Sequence, residues 1–210
     1  MDPTPDLLFD GPEDATVTLA LAHGAGAAMD SPFMNGIVAR LAALGHRVAR
    51  FEFPYMAARR VDPRRRPPDR QPVLLATWRA VVAELGGPDR VVMGGKSMGG
   101  RMASLVAAED GARGLVCLGY PFHPPGDAES TRVAHLADLR IPALIVQGTR
   151  DPFGTTKQIV SYRLPASIAL EWIADGDHDL KPRKASGRTQ SDGLDQAAAA
   201  VDNFLRNRVR

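Results

Sequence analysis

The sequence predicts an α/β protein whose sheet is mainly parallel and covered by helices on both faces. Short apolar, β-rich runs alternate about six times with longer amphipathic stretches. The predicted strands are apolar along most of their length, which is typical of strands buried on both sheet faces. Polar segments follow directly after four of them, at His23-Gly24, Ser97, Asp151 and His178. Because ligand sites in such sheets lie beyond the carboxyl ends of the strands, we expect these segments to meet at one edge.

Capping and breaking residues define the elements of the first half of the chain. Ser31 is a suitable N-cap and Pro32 suits the first helical position, while Gly45 ends the helix that they open. The segment 57–72 is rich in proline and arginine, so we expect a surface loop there. The remaining predictions are a short edge strand at 7–9, strands at 16–22, 46–53 and 90–93, and helices at 73–85 and 99–109.

The second half continues the alternation of strands and helices. The last helix is predicted over 194–208, where Ala197, Val201 and Leu205 recur at fourfold spacing. The other predictions are strands at 114–119, 141–147 and 168–173, and short helices at 131–139 and 155–162. The pattern therefore predicts about six or seven strands in one domain, 1–210. At this mass roughly 70% of the surface of the unfolded chain is buried on folding, which suffices for a full core.

Composition excludes several classes of function. The net charge of +2 gives no reason to expect a nucleic-acid binder. The single cysteine, Cys117, cannot form an internal disulfide, and its apolar surroundings predict a buried, unreactive thiol. No stretch approaches the ~20 apolar residues of a membrane span. The acidic, proline-rich segment 1–6 does not resemble a signal peptide. We therefore expect a cytoplasmic protein that acts without a membrane.

Gly95-x-Ser97-x-Gly99 has the pattern of a nucleophile elbow. A serine on a very tight strand-to-helix turn has strained backbone angles, and flanking positions without side chains let strand and helix approach. The turn exposes the hydroxyl and leaves the Met98 amide at a helix N-terminus, where it is free to donate to an anion. The motif predicts that Ser97 is a catalytic nucleophile.

A serine nucleophile needs a base, and the base needs an orienting carboxylate. His178 and Asp151 each follow a predicted strand, and they complete the chain order Ser, Asp, His. We therefore predict Ser97, Asp151 and His178 as catalytic residues. Asp127 and Glu129 are weaker alternatives for the carboxylate. Asp175, Asp177 and Asp179 are also alternatives, but they lie too close to His178 in sequence to orient its ring easily.

The tetrahedral intermediate of acyl transfer needs two hydrogen-bond donors for its oxyanion. Met98 is predicted to supply one backbone amide. The other is expected from the glycine-rich segment after the first long strand, with Ala25 as the first choice and Gly26 as the alternative. His23 would then support this loop rather than take part in the chemistry.

Phosphate-binding motifs do not fit the glycine-rich segments. A Walker-type loop ending at Lys96-Ser97 would need glycine at position 90, where Arg90 stands. A dinucleotide fingerprint beginning at Gly24 would need a small residue at position 29, where Met29 stands. The chain also lacks sequence spacings typical of metal ligands. We predict no cofactor and no metal.

Residues that could contact a substrate come from several loops. The candidates for substrate binding are Gly26, Tyr55, Met56, Lys96, Phe122 and His123. Lys96 could add positive charge at the site, or it could point outward into solvent. The arginine-rich loop with Arg59-Arg60, Arg64-Arg65-Arg66 and Arg70 could be a solvated surface, the favoured interpretation, or a rim that attracts an anionic substrate.

Several longer motifs resemble one group of proteins. The chain resembles compact, dienelactone-hydrolase-like α/β-hydrolases related to testis-expressed protein 30 and NSL-complex subunit 3. The motifs are HGAGAAMDSPFM (23–34), FEFPYM (51–56), GGKSMGGRMAS (94–104), GYPFHPPG (119–126), QGTRDPFG (147–154) and DGDHDLK (175–181). The resemblance implies an α/β-hydrolase fold without a large cap domain, and the triad named above. A dienelactone hydrolase commonly carries a cysteine nucleophile, so Ser97 argues against that specific activity.

These observations predict a serine hydrolase, with a carboxylesterase acting on small acyl esters as the first hypothesis. An acyltransferase or a peptidase with the same triad is an alternative. A non-catalytic hydrolase-fold scaffold that binds a protein partner is another, suggested by the chromatin-associated relatives. The expected partner is a small-molecule acyl substrate. The natural substrate, the acyl chain length and the oligomeric state do not follow from the sequence.

Overall fold

Seven strands form one sheet in the computed structural model, which describes residues 5–62, 64 and 66–209. The strands are β1 (Leu8–Asp10), β2 (Thr18–Ala22), β3 (Arg47–Phe51), β4 (Val91–Lys96), β5 (Gly114–Leu118), β6 (Ala143–Gly148) and β7 (Ile168–Ile173). Their order is β1-β3-β2-β4-β5-β6-β7. Only β1 is antiparallel to its neighbour. The predicted mainly parallel sheet is confirmed.

Helices cover both faces of this sheet. They are α1 (Pro32–Ala43), α2 (Pro54–Val61), α3 (Gln71–Glu84), α4 (Met98–Asp110), α5 (Thr156–Ser161) and α6 (Gln190–Arg208). One core contains Trp78 of α3 and Met102 of α4, and the other contains Ile37 of α1 and Val201 of α6. Alternate residues of β2 enter the two cores because successive side chains of a strand point to opposite faces.

The central strands bring the polar segments to one edge of the sheet. β4 lies between β2 and β5, with Gly95 opposite both Ala22 and Cys117. His23 follows the end of β2 and Ser97 follows the end of β4. Cys117 is fully buried, and this burial raises the pKa of its thiol well above the usual range, as expected for an unreactive cysteine.

The structure corrects the predicted loop at 57–72. Its first residues belong to α2, which begins at Pro54 because proline suits the first helical position. Tyr55 and Met56 are buried in the first turn of this helix, although its last turn carries Arg59 and Arg60. Pro63 and Arg65 lie outside the described residues, as do residues 1–4 and 210.

The predicted helix at 131–139 is also wrong, because the structure contains only one 3₁₀ turn there, Ala134–Leu136. Leu136 and Leu139 are buried and hold the segment against the core, and so short a stretch cannot sustain a helix without further packing. With only this turn between β5 and β6, the fold has no large cap there.

The last helix, α6, begins earlier than predicted, because Thr189 and Asp192 form a capping box.

None of the helices within the described ranges combines the length and the apolar character needed to cross a membrane.

Candidate active site

Ser97 occupies the sharp turn between β4 and α4. Its backbone angles are φ 51° and ψ −116°, a strained conformation for a residue with a side chain. The glycines on either side are required by close packing. A Cβ atom at Gly95 would lie 2.4 Å from the Ala22 carbonyl oxygen, and one at Gly99 would lie 2.5 Å from the His23 carbonyl oxygen. The sequence motif therefore folds as the predicted elbow.

Ser97, His178 and Asp151 form a continuous hydrogen-bond chain. His178 Nε2 lies 2.8 Å from Ser97 Oγ, and His178 Nδ1 lies 2.8 Å from Asp151 Oδ2. A carboxylate only accepts hydrogen bonds, so Nδ1 carries the proton and Nε2 is left to accept the hydroxyl hydrogen of Ser97. The three residues come from separate loops at the carboxyl edge of the sheet, as the sequence predicted.

Asp151 is fully buried, and three groups donate hydrogen bonds to its carboxylate. Besides His178, the Phe153 backbone N–H donates to Oδ1 at 2.8 Å and Gln147 Nε2 donates to Oδ2 at 2.9 Å. Sequence reasoning missed Gln147, although a glutamine inside an otherwise apolar strand is a signal for such a role. These bonds fix the carboxylate that orients the histidine ring.

The alternative carboxylates have other partners. Asp175 pairs with Arg183, Asp179 pairs with Lys96, and the Asp177 side chain accepts backbone N–H groups of its own loop. Asp127 accepts from Ser130. Asp151 is therefore the carboxylate that bonds to the His178 ring. The Phe153 ring also contacts His178, with the two ring centroids 4.3 Å apart.

The loop that follows β2 lies beside the nucleophile. A Cβ atom at Gly24 would lie 3.8 Å from Ser97 Cβ. The Gly24 carbonyl oxygen points inward, where His23 Nδ1 lies at 2.7 Å and Tyr55 Oη at 3.4 Å. In a planar trans peptide the N–H points opposite to the carbonyl, so the Ala25 N–H points away from this interior contact.

Tyr55 and His23 hold this loop in place. Tyr55 Oη donates to the Ala25 carbonyl oxygen at 3.0 Å, which in the same way directs the Gly26 N–H away from Tyr55. His23 is fully buried, donates from Nδ1 to Gly24 and accepts the Phe53 N–H at Nε2. Burial lowers the pKa of His23, which favours this neutral form.

Ala25 and Gly26 both remain candidates for the second oxyanion donor. Met98 is the first residue of α4, where the N–H has no partner within the helix.

A buried carboxylate extends this support to the end of the loop. Glu52 accepts two hydrogen bonds from Arg60, each at 2.7 Å, and one from the Met29 backbone N–H at 3.3 Å. Arg60 also pairs with Asp30 at 3.0 Å. The Met29 carbonyl oxygen accepts from Arg50 at 3.0 Å. The segment that carries Ala25 is therefore tied to β3 and α2 at both ends, which sequence patterns did not reveal.

Comparison with known proteins identifies the family and supports the fold. The family described as "Alpha/beta hydrolase domain" matches residues 15–206. The chain belongs to the α/β-hydrolase family. Its fold is also similar to three solved structures.

Est1E from Butyrivibrio proteoclasticus, solved with ferulic acid bound, is 16% identical with a TM-score of 0.75, and the match covers 97% of this chain and 95% of that one. Dienelactone hydrolase from Anabaena variabilis is 20% identical with a TM-score of 0.74, covering 97% and 92%. An alpha-beta serine hydrolase homologue from Coxiella burnetii is 17% identical with a TM-score of 0.70, covering 93% and 90%.

The structure of this α/β-hydrolase shows where the candidate substrate-binding residues lie. The side chains of Tyr55, Met56, Phe122 and His123 are all buried. Phe122 packs between Tyr120 and Tyr162, and Tyr55 lies beneath the Ala25 loop, so both support the site from inside. His123 donates from Nδ1 to the Pro124 carbonyl oxygen at 2.8 Å. Gly26 is exposed beside the site.

Lys96 is buried rather than directed outward. Its Nζ lies 3.2 Å from Asp179 Oδ1 and 5.3 Å from the centre of the Phe33 ring. Burial lowers the pKa of Lys96, whereas the nearby carboxylate of Asp179 favours its charged form. Its aliphatic part lies against Gly24, so Lys96 contacts the loop after β2 as well as the loop that carries His178.

Most arginines of the loop after β3 are paired within their own region. Arg60 pairs with Glu52 and Asp30, and both Arg64 and Arg66 pair with Asp62. Arg59 lies over the Tyr55 ring at 5.1 Å. Arg65 lies outside the described residues. This pairing weakens the interpretation of the loop as an attractive rim for anions.

A second serine–histidine pair involves the middle of α4. Ser104 Oγ lies 2.8 Å from His135 Nε2 and also donates to the Arg101 carbonyl oxygen. Ser104 is fully buried in the middle of α4, and no carboxylate among the described residues bonds to the His135 ring. This pair links α4 to the loop after β5, a structural role.

Two grooves on the surface lie away from Ser97. One of about 680 Å³ is lined by Phe9, Thr18, Arg47 and Arg90, at the edge where the parallel strands begin. His46 is at the same edge and bonds to Asp202 at 2.7 Å, away from Ser97. Ser97 is partly exposed.

Proposed function

We propose that this α/β-hydrolase is a serine hydrolase, and specifically a carboxylesterase that acts on small, accessible acyl esters. The observation that carries the proposal is the hydrogen-bond chain from Ser97 through His178 to Asp151, with both contacts at 2.8 Å. Its supporting elements are the strained backbone at Ser97 and the buried position of Asp151. We also propose that the chain belongs with the relatives of testis-expressed protein 30 and NSL-complex subunit 3.

In the proposed reaction, Ser97 Oγ attacks the ester carbonyl carbon while His178 Nε2 takes the hydroxyl proton. The carbonyl π electrons move to oxygen, and the resulting oxyanion accepts hydrogen bonds from the N–H groups of Met98 and Ala25, with Gly26 as the alternative. Asp151 holds the imidazole ring and stabilises its cation. The carbon–oxygen bond to the alcohol then breaks, and His178 returns its proton to the leaving alkoxide.

The second half of the reaction repeats these steps with water. His178 takes a proton from the water molecule, whose oxygen attacks the acyl carbon on Ser97. Collapse of the second tetrahedral intermediate releases the carboxylic acid product and restores the Ser97 hydroxyl with the proton held by His178. The partial exposure of Ser97 and the short connection between β5 and β6 support small, accessible substrates.

The test is hydrolysis of p-nitrophenyl acetate, butyrate and octanoate by purified protein. We expect turnover by the wild type, with the shorter esters preferred, and its loss in Ser97→Ala and in His178→Ala. Ser186→Ala is the matched control, because Ser186 is an exposed serine in a 3₁₀ turn and should not affect turnover. A folded wild-type protein that hydrolyses none of these esters would contradict the proposal and favour the scaffold alternative.

A further inference from the structure

The loop that carries His178 has to cross two strand ends to reach Ser97. In the sheet the order is β4-β5-β6-β7, with Ser97 after β4 and His178 after β7. These four strands are parallel, so their carboxyl ends lie side by side, and the ends of β5 and β6 separate the two residues. With neighbouring strands about 4.8 Å apart, the distance to be bridged is roughly 14 Å. We call residues 174–180 the histidine loop.

Gly148 is the last residue of β6, and the backbone of the histidine loop lies directly against it. A Cβ atom at Gly148 would be 2.3 Å from the Gly176 carbonyl oxygen and 2.4 Å from the Asp177 carbonyl oxygen. Both distances are well below the 3.4 Å at which ordinary van der Waals contact begins. Because both neighbours are backbone atoms, neither can rotate away as the end of a side chain can. The loop passes here because position 148 has no side chain.

Gly119 follows β5 and lies against His178 itself. A Cβ atom at Gly119 would be 2.8 Å from the His178 carbonyl oxygen, 3.3 Å from Nδ1 and 3.4 Å from Cε1 of its ring. Nδ1 is the ring atom that bonds to Asp151. A methyl group at position 119 would therefore press on His178 at the atom through which Asp151 orients it.

The two glycines belong to the fixed side of this contact. The Gly119 N–H donates to the Val146 carbonyl oxygen at 2.8 Å, and the N–H of the next residue, Tyr120, donates to Gln147 Oε1 at 2.8 Å. Both glycines are buried, whereas the His178 side chain is 22% exposed and most of its loop is at least partly exposed. We therefore expect an overlap at either glycine to displace the histidine loop rather than the strand ends.

Hydrogen bonds from the loop after β6 hold the histidine loop onto these glycines. The Arg150 N–H donates to the Gly176 carbonyl oxygen at 2.9 Å, and the Asp175 N–H donates to Thr149 Oγ1 at 2.9 Å. These bonds draw the loop toward the strand ends. The absence of a side chain at Gly148 determines how closely it can approach.

We propose that Gly119 and Gly148 are positioning residues for the catalytic histidine. By leaving room for the histidine loop at the ends of β5 and β6, they place the imidazole ring between Asp151 and Ser97. Reaction geometry tolerates little error, since a displacement of about 1 Å can cost about a hundredfold in rate. The inference rests on the proposed triad, because it concerns how His178 reaches the other two residues.

The kinetic test is hydrolysis of p-nitrophenyl butyrate by Gly119→Ala and Gly148→Ala. In Gly119→Ala, kcat should fall by about ten- to a hundredfold, because the ring is displaced by a fraction of an ångström. KM should change by less than about twofold, because the substrate contacts are retained. Gly148→Ala creates the closer overlap and should lower kcat at least as much. Wild-type kcat in both variants would overturn the inference.

Two glycines outside the site provide matched controls. Gly45 has φ 87° and Gly119 has φ 65°, so alanine is strained at either position, but no described atom lies within 4 Å of a Cβ at Gly45. It precedes β3, at the opposite edge of the sheet. In α1, a Cβ at Gly36 would be 2.9 Å from Leu194 Cδ1, the end of a side chain that can rotate. Gly45→Ala and Gly36→Ala should keep the wild-type kcat.

A measurement without turnover separates this inference from the proposed function. Two-bond proton–nitrogen NMR correlations of isotope-labelled histidine show which ring nitrogen carries the proton, and His178→Ala identifies the His178 signals. At a pH where the ring is neutral, the wild type should hold the proton on Nδ1. Gly119→Ala should give a mixture of tautomers, and Gly45→Ala should match the wild type.

The outcomes distinguish the two proposals. A changed His178 tautomer in Gly119→Ala, with no ester turnover by the wild type, would support the positioning role and contradict the esterase. A fall in kcat with unchanged His178 signals would overturn the positioning role and leave the esterase intact. Loss of the fold in Gly119→Ala, measured by circular dichroism, would also overturn it, because the strand ends rather than the loop would then take up the overlap.

Discussion

Lys96 Nζ lies 3.2 Å from Asp179 Oδ1, an ion pair that joins the residue before Ser97 to the residue after His178. Ser97 and His178 are 81 residues apart in sequence, and their hydrogen bond depends on how closely the two loops approach. Lys96 also lies against Gly24 and Phe33. The pair therefore links the elbow, the histidine loop and the loop that carries Ala25.

We predict that Asp179→Asn lowers kcat of ester hydrolysis about two- to fivefold, with a smaller effect on KM. The Asp179 side chain is 61% exposed, so solvent screens the pair and limits its contribution. Asp195 is an equally exposed partner of Arg40, in an ion pair between α6 and α1 that involves neither the Ser97 turn nor the His178 loop, and Asp195→Asn is the control. Steady-state kinetics on p-nitrophenyl butyrate provides the measurement. An equal effect of both substitutions would contradict a specific role of the Lys96 pair.

Tyr55→Phe should lower kcat about five- to tenfold. The substitution removes the hydroxyl that donates to the Ala25 carbonyl oxygen, and one hydrogen bond contributes about 1 kcal/mol. The peptide bond between Ala25 and Gly26, in the loop proposed to supply an oxyanion donor, would then be held less firmly. Tyr162→Phe is the control, because Tyr162 packs on Phe122 away from the Ala25 loop. A wild-type kcat for Tyr55→Phe would show that the loop does not need this bond.

Asp151→Asn should lower kcat by about 10³- to 10⁴-fold, because an amide nitrogen facing His178 favours the wrong histidine tautomer. The affected contact is the one between His178 Nδ1 and Asp151 Oδ2. Asp127→Asn tests the weaker alternative from the sequence and should leave kcat nearly unchanged, since Asp127 bonds to Ser130. A larger loss in Asp127→Asn than in Asp151→Asn would refute the assignment of the carboxylate.

Stability should fall as the pH drops from about 6.5 toward about 4. Burial, with Arg101 nearby, lowers the pKa of His135 from 6.5 to about 4, so the unfolded chain holds more protons in this range. The stabilising contribution is complete above the unfolded pKa and is lost as the pH falls toward the folded value. His23 acts in the same direction. His135→Gln should therefore show a smaller difference between Tm at pH 7 and at pH 5, measured by calorimetry. An unchanged difference would contradict this origin.

The residues that sequence reasoning identified share a local signature. Ser97 carries its own turn motif, and His178 and Asp151 each follow an apolar strand, so chain order and strand ends sufficed to bring them together. The sheet itself followed from alternation of apolar strands and amphipathic stretches, and β7 has the predicted limits. These signals are contained in short segments.

The features that were missed depend on contacts between distant segments. Nothing near Tyr55 indicates that its hydroxyl reaches Ala25, 30 residues earlier. Likewise, Glu52 lies in the predicted strand 46–53 and Arg60 in the predicted loop, and neither segment indicates that the buried Glu52 accepts hydrogen bonds from Arg60. The helix α2 was also missed. Its charged residues are typical of a surface loop, whereas burial of its first turn stabilises a helix.

The most direct test of the central claim is labelling by a fluorophosphonate probe, which reacts with activated serines. We predict that the wild-type protein is labelled and that peptide mass spectrometry places the adduct on Ser97. Ser97→Ala should not be labelled, and His178→Ala should be labelled at least a hundredfold more slowly, because the base is absent. Equal labelling of the wild type and Ser97→Ala, an adduct on Ser104, or no labelling of folded wild-type protein would contradict Ser97 as the nucleophile.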